Sequence, residues 1–227
     1  MALYRLHKTL AYLLIAIAML SQQRFRSYSS YSIFAAALQH PPENEEDIPF
    51  ISKEFLQACQ TNDQETVESI LSDHPDWIFG LERESGEMCL HEAVVNQHPD
   101  LVEYLLLHQG ADPNQRNPRL LRMHSLAWNA YHGHLETAQV LLRYGAKINQ
   151  EFDAPAKLFW HQHDIEEEEG NGVIVTVLDV VNRMLESHHE DQEKSLVQQY
   201  RTLRKLLRSE GALTVRELRG YGDEDEL

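Results

Sequence analysis

The sequence predicts an all-α fold, a solenoid of about four stacked helix-turn-helix units with short hairpin connections, and three observations predict it. The apolar stripes recur with a period near 3.6 residues, and none alternates over a long run. A helix, a tight turn, a second helix and a Gly-Ala exit return at nearly constant spacing: Gly110 to Gly145 is 35 residues and Leu90 to Leu126 is 36. One such helix pair cannot bury its own stripe, so the units must stack on one another.

The chain opens on residues 1–42, which hold four basic residues (Arg5, Lys8, Arg24, Arg26) and no acid. Leu10 to Leu20 are eleven apolar residues behind that charge, the order of a secretory signal and too few to span a bilayer comfortably. Arg26-Ser27-Tyr28 before Ser29 resembles a mitochondrial presequence cleavage site, and no small-x-small pair stands where a signal peptidase would cut. The expected address is an organelle, the mitochondrion favoured, or entry to the endoplasmic reticulum and secretory route. A start with no sorting role is the third reading.

An acidic linker, 43–51, leads into the repeat domain, 52–219, with units at about 52–81, 82–116, 117–152 and 172–214. First helices start near Phe55, Leu90, Leu126 and Leu178. In the first three units a turn-compatible pair follows: Asn62-Asp63, Gln97-His98 and Gly133-His134. Second stripes run through Val67, Ile70 and Leu71, then Val102, Leu105 and Leu106, then Ala138, Val140, Leu141 and Leu142. The last unit is degenerate, with insertions at 153–172 and 187–194. Arg201, Arg204, Lys205 and Arg208 cover its outer face and suit the negative end of a final helix. The acidic tail, 220–227, ends Glu224-Asp225-Glu226-Leu227, a variant of the endoplasmic-reticulum retrieval signal with an acid where familiar forms carry Lys or His; a plain solvated tail is the competing reading.

At Gly86-Glu87-Met88-Cys89-Leu90-His91-Glu92-Ala93, at Gly133-His134-Leu135-Glu136 and at the two Gly-Ala exits, the chain resembles the ankyrin repeat family. It departs from the family pattern where a Thr-Pro pair is expected: Met88-Cys89 stands there in the second unit and His124-Ser125 in the third, so the usual hydroxyl-to-His network is missing. The resemblance implies a non-enzymatic scaffold or adaptor that binds a protein through the hairpin tips and the exposed side of the first helices.

Charge and motif content exclude other classes. Residues 43–227 carry all 36 acids of a chain whose net charge is -16, which argues against nucleic acid as a partner. The two cysteines, Cys59 and Cys89, are too few for a disulfide framework or a Cys-rich zinc site. Stability is therefore expected from packing alone, Cys59 being a small buried hydrophobe in the column of Val94 and Ala130, in a body suited to a reducing compartment. His91-Glu92 opens like a zinc-protease helix, but the second histidine is replaced by Val95. No phosphate-cradling loop and no Gly-x-Ser-x-Gly elbow occurs, so neither enzyme activity nor a cofactor is expected.

What remains is a surface. The exposed column positions are Gln57, Gln60 and Thr61 in the first unit, Glu92, Val95 and Asn96 in the second, Trp128, Tyr131 and His132 in the third, and Arg183 in the fourth. Glu92, Val95, Asn96, Trp128, Tyr131 and His132 are the expected partner-binding residues, since adjacent aromatics on a solvent face give large, stiff contact area. Trp128 has a competing reading, in which it packs against Phe159 and Trp160 of the insertion. Two other functions compete with the adaptor: a membrane-anchored regulator whose only membrane contact is residues 3–20, and a metal-binding protein using His161, His163, His188 and His189.

Overall fold

The computed structural model describes residue 42 and residues 44–119, 122–154, 173–188 and 194–220. Four helix pairs follow one another: α1 (Lys53–Gln60) and α2 (Gln64–Asp73), α3 (Cys89–Val95) and α4 (Pro99–His108), α5 (Ser125–His132) and α6 (Leu135–Arg143), α7 (Val177–Ser187) and α8 (Lys194–Ser209). Short polar residues start several of them. The Ser52 hydroxyl accepts from Phe55 N at 3.1 Å, Asp63 accepts from Thr66 N at 3.1 Å, and Thr176 forms a capping box with Asp179. Neither α3 nor α5 has a side-chain cap, because Met88 and His124 occupy the N-cap positions.

First helices pack on first helices, α1 on α3 on α5 on α7, and behind them α4 packs on α6 and α6 on α8. Phe55, Leu90, Leu126 and Leu178 lie in one apolar core that runs through all four pairs. The expected all-α solenoid is what the described residues form.

Two hydrogen-bond ladders tie the layers together, each repeated at the period of the stack. In the first, a ring at the turn or on the second helix bonds a carbonyl near the end of the preceding first helix: His98 Nε2 to Gln60 O at 2.7 Å, His134 Nδ1 to Val94 O at 3.2 Å, and the Tyr200 hydroxyl donating to Tyr131 O. In the second, an asparagine in one exit loop clamps the next. Asn114 donates to Gly145 O at 3.0 Å and accepts from Lys147 N at 2.7 Å; Asn149 donates to Gly211 O at 3.0 Å and accepts from Leu213 N at 2.8 Å. The interhelical turns also share a left-handed residue, with φ of 60° at Asn62, 59° at Gln97 and 73° at Gly133. Only the third uses glycine, and there the Tyr200 ring leaves no room: a Cβ would lie 3.0 Å from its Cε1.

Short strands complete the frame. Strand β1 (Phe50–Ile51) pairs in parallel with β2 (Leu81–Glu82), and β3 (Phe152–Ala154) pairs antiparallel with β4 (Val173–Val175). The second pair joins the flanks of the expected 153–172 insertion. Helix α9 (Val215–Leu218) has its own capping box, Thr214 with Glu217, and repeats the Thr-Val opening of α7. Val215 N donates to Asp179 at 3.0 Å and the Thr176 hydroxyl donates to Leu213 O at 2.7 Å, so α9 sits against α7 as the first turn of one more layer.

One expectation is overturned. Cys59 and Cys89 form a disulfide between α1 and α3, with Cα atoms 5.3 Å apart and a separation of 30 in sequence. Both are fully buried. Counting cysteines excluded a framework and a zinc site but left out that the Cys59 column of one first helix abuts the start of the next. Stability therefore does not rest on packing alone.

Candidate functional site

A groove of about 560 Å³ opens on the first-helix face and draws on three successive layers: Gln60 and Thr61 at the end of α1, Glu87 before α3, His91, Glu92 and Val95 on α3 with Asn96 just after it, and Trp128 on α5. Four of the six expected partner-binding residues, Glu92, Val95, Asn96 and Trp128, are brought together there. Gln60 and Thr61, expected on the same face, join them, whereas Gln57 and Arg183 do not line it.

Tyr131 and His132 belong elsewhere. Tyr131 is half-buried against the core; burial raises its phenol pKa to about 12, and its hydroxyl has no hydrogen-bond partner among the described residues. His132 is exposed, its ring 5.6 Å from that of His134. The column alignment placed both beside Trp128, but the Tyr131 carbonyl is bonded by Tyr200, a residue 69 positions on.

Glu92 is the electrostatic centre of the groove. Gln60 Nε2 donates to its Oε2 at 2.9 Å and Asn96 Nδ2 reaches the same oxygen at 3.4 Å. Burial holds the carboxyl above its usual range, helped by the neighbouring Glu87 and opposed by those two donors. His91, 4% exposed, lines the groove, and its buried Nδ1 has no partner among the described residues. Desolvation first, and the adjacent His124 second, push its pKa down to about 4, against the pull of the Gln115 carbonyl. His124 is wholly buried with its ring edge-on to Phe152 at 5.4 Å, and its pKa is likewise pushed down to about 4 by desolvation. Trp128 packs partly against the core, and its Nε1–H is buried with no acceptor among the described residues.

Sequence reasoning named Glu87 and His91 within the repeat motif but not as site residues; a turn residue and a core histidine give no signal in a column of exposed positions. His188 bonds Met184 O at 2.6 Å through Nδ1, and no cluster of three or more metal-ligating side chains occurs among the described residues. His161, His163, His189, Phe159, Trp160 and the acidic tail from Glu224 lie outside the described residues, as does the leader through residue 41. No helix among the described residues is long and apolar enough to cross a membrane.

Residues 55–152 match the family model described as ankyrin repeats (3 copies). This segment consists of ankyrin repeats. The matched ankyrin repeats span α1 to the start of β3, and α7 with α8 continues their stacking beyond the match. Ankyrin repeats are in general protein-protein interaction modules and typically scaffolds rather than enzymes. No curated protein matches the chain.

Proposed function

We propose that the protein is a non-enzymatic adaptor whose ankyrin repeats hold a protein partner in the groove formed by Gln60, Thr61, Glu87, Glu92, Val95, Asn96 and Trp128. The observation that carries this is the groove itself: residues from three successive layers converge on one cavity beside a half-buried indole. Its polar groups are not at rest in the free protein. Glu92 sits in surroundings that disfavour its charge, chiefly through burial. Locally costly arrangements of this kind belong to sites kept for a ligand rather than for stability. Val95 and the indole supply stiff apolar area, and Gln60, Thr61 and Asn96 form a polar rim, which is the anatomy of a protein-binding patch.

Partners crosslinked to the full chain in cells and identified by mass spectrometry, compared between wild type and Trp128→Ala, test the proposal. A groove partner is lost with the indole, its affinity falling by about 2 kcal/mol or roughly thirtyfold, at a melting temperature that still leaves the variant folded. A partner set unchanged in the folded variant refutes the groove as the binding surface.

A further inference from the structure

We propose that the group this groove receives is an arginine side chain presented by the partner, an inference that rests on the groove being the protein-binding surface. The argument is an inventory of donors and acceptors. The donors on the wall are largely used internally: Gln60 Nε2 donates one of its two N–H groups to the Glu92 carboxylate, Asn96 Nδ2 donates to the Glu92 backbone carbonyl and reaches its carboxylate, and the Thr61 hydroxyl donates to Gln57 O at 2.9 Å. The one indole N–H is buried. The lining also holds the acceptor oxygens of Glu87, Glu92, Gln60 and Asn96. Because Gln60 and Asn96 both turn their NH₂ groups to a carboxylate, their amide assignment is fixed by chemistry and their carbonyl oxygens are turned away from it. Both donors reach Oε2 of Glu92, so among the described residues Oε1 has no partner, and Glu87 adds a second carboxylate.

The lining contains no Lys or Arg, and its one titratable base, His91, is held neutral by burial. A ligand that fits must bring several donors and a positive charge. Guanidinium carries five N–H donors in one plane, bonds carboxylates in pairs, and stacks on an indole face of the kind Trp128 contributes; ammonium offers a compact point charge without that plane. A cation beside Glu92 also favours its carboxylate and so offsets the effect of burial on it.

The test uses the full chain and a random twelve-residue peptide library displayed on phage. Selected peptides are expected to carry an arginine at a recurring position. The best peptide, synthesised, is expected to lose at least tenfold in affinity when that arginine is replaced by citrulline, which keeps the shape and removes the charge, and at least tenfold on Glu92→Gln protein. Lysine at the same position is expected to bind several-fold more weakly than arginine. If selected peptides bind the groove, as judged by their loss on folded Trp128→Ala protein, yet tolerate citrulline and Glu92→Gln, the arginine inference is wrong while the groove stands. If no peptide is enriched, or enriched peptides bind folded Trp128→Ala and Val95→Asp proteins as they bind wild type, the groove reading itself falls and the inference with it.

Discussion

Acid should loosen this protein through two buried imidazoles, and His124→Thr isolates the effect. His91 and His124 are 4% and 0% exposed, and each has its pKa pushed from 6.5 down to about 4, chiefly by desolvation. Between those values the unfolded chain binds a proton that the folded chain refuses, so the contribution is fully present above pH 6.5 and is lost as pH falls toward 4. A drop from 6.5 to about 4 corresponds to about 3 kcal/mol for each ring. The two rings also repel one another once charged. Other changes act across the same interval: titrating carboxylates relieve the self-repulsion of a chain with net charge -16, and His108, His132 and His134, whose pKa values are lowered by burial, add to the acid sensitivity. The readout is therefore a difference between proteins. Urea unfolding at pH 7.5, 6.5, 5.5 and 4.5 gives a stability for each, and the fall from pH 7.5 to 4.5 should be smaller in His124→Thr by about 3 kcal/mol, whatever the substitution does to the baseline at pH 7.5. Parallel pH profiles for the two proteins would refute the assignment of the acid sensitivity to this pair.

Three further changes have defined outcomes. Replacing both Cys59 and Cys89 by Ala should cost about 3.5 kcal/mol in urea unfolding, from the entropy of closing a 30-residue loop, and the untreated native protein should show no thiol reactive toward a chromogenic disulfide even when denatured; a free thiol count of two would remove the crosslink from the fold. Gly133→Ala forces a side chain into φ 73° and against the Tyr200 ring, and thermal unfolding should report a loss of about 1–3 kcal/mol, with Tyr200→Leu recovering part of it by opening space. Asn149→Ala removes both bonds that tie its loop to the next, so amide exchange at Leu213 should accelerate while that at Lys147 stays as in wild type.

The layered fold was legible because its signals are local and repeated. Gly133-His134 and its counterparts mark the turns, and Leu90 and Leu126 mark the stripes at a fixed spacing. Small strands such as Phe50–Ile51 with Leu81–Glu82 were not legible, since two residues carry no period. The groove was read in part for the same reason. Glu92, Val95, Asn96 and Trp128 follow from exposed columns, but Tyr131 is fixed by Tyr200 from α8 and Glu87 approaches from a turn, and contacts of that range leave no trace in a column. Cys59 and Cys89 show the limit most plainly: Cys59 occupies a column suited to a small apolar residue, Cys89 stands at the start of the next first helix, and only the packing of α1 on α3 brings their sulfur atoms together.

That crosslink makes the array directional. In a stack where each layer touches only its neighbours, melting can begin at either end and advance one layer at a time. The bond between α1 and α3 merges the first two layers into a single cooperative block, so one end resists fraying and the other does not. Unzipping then starts at α8 and α9 and travels toward the amino-terminal side, which leaves the α1–α3 wall of the groove standing after its Trp128 wall on α5 has come loose. A partner bridging Glu92 and Trp128 would act as the latch on that advance, coupling its own binding to the persistence of the layers beyond it.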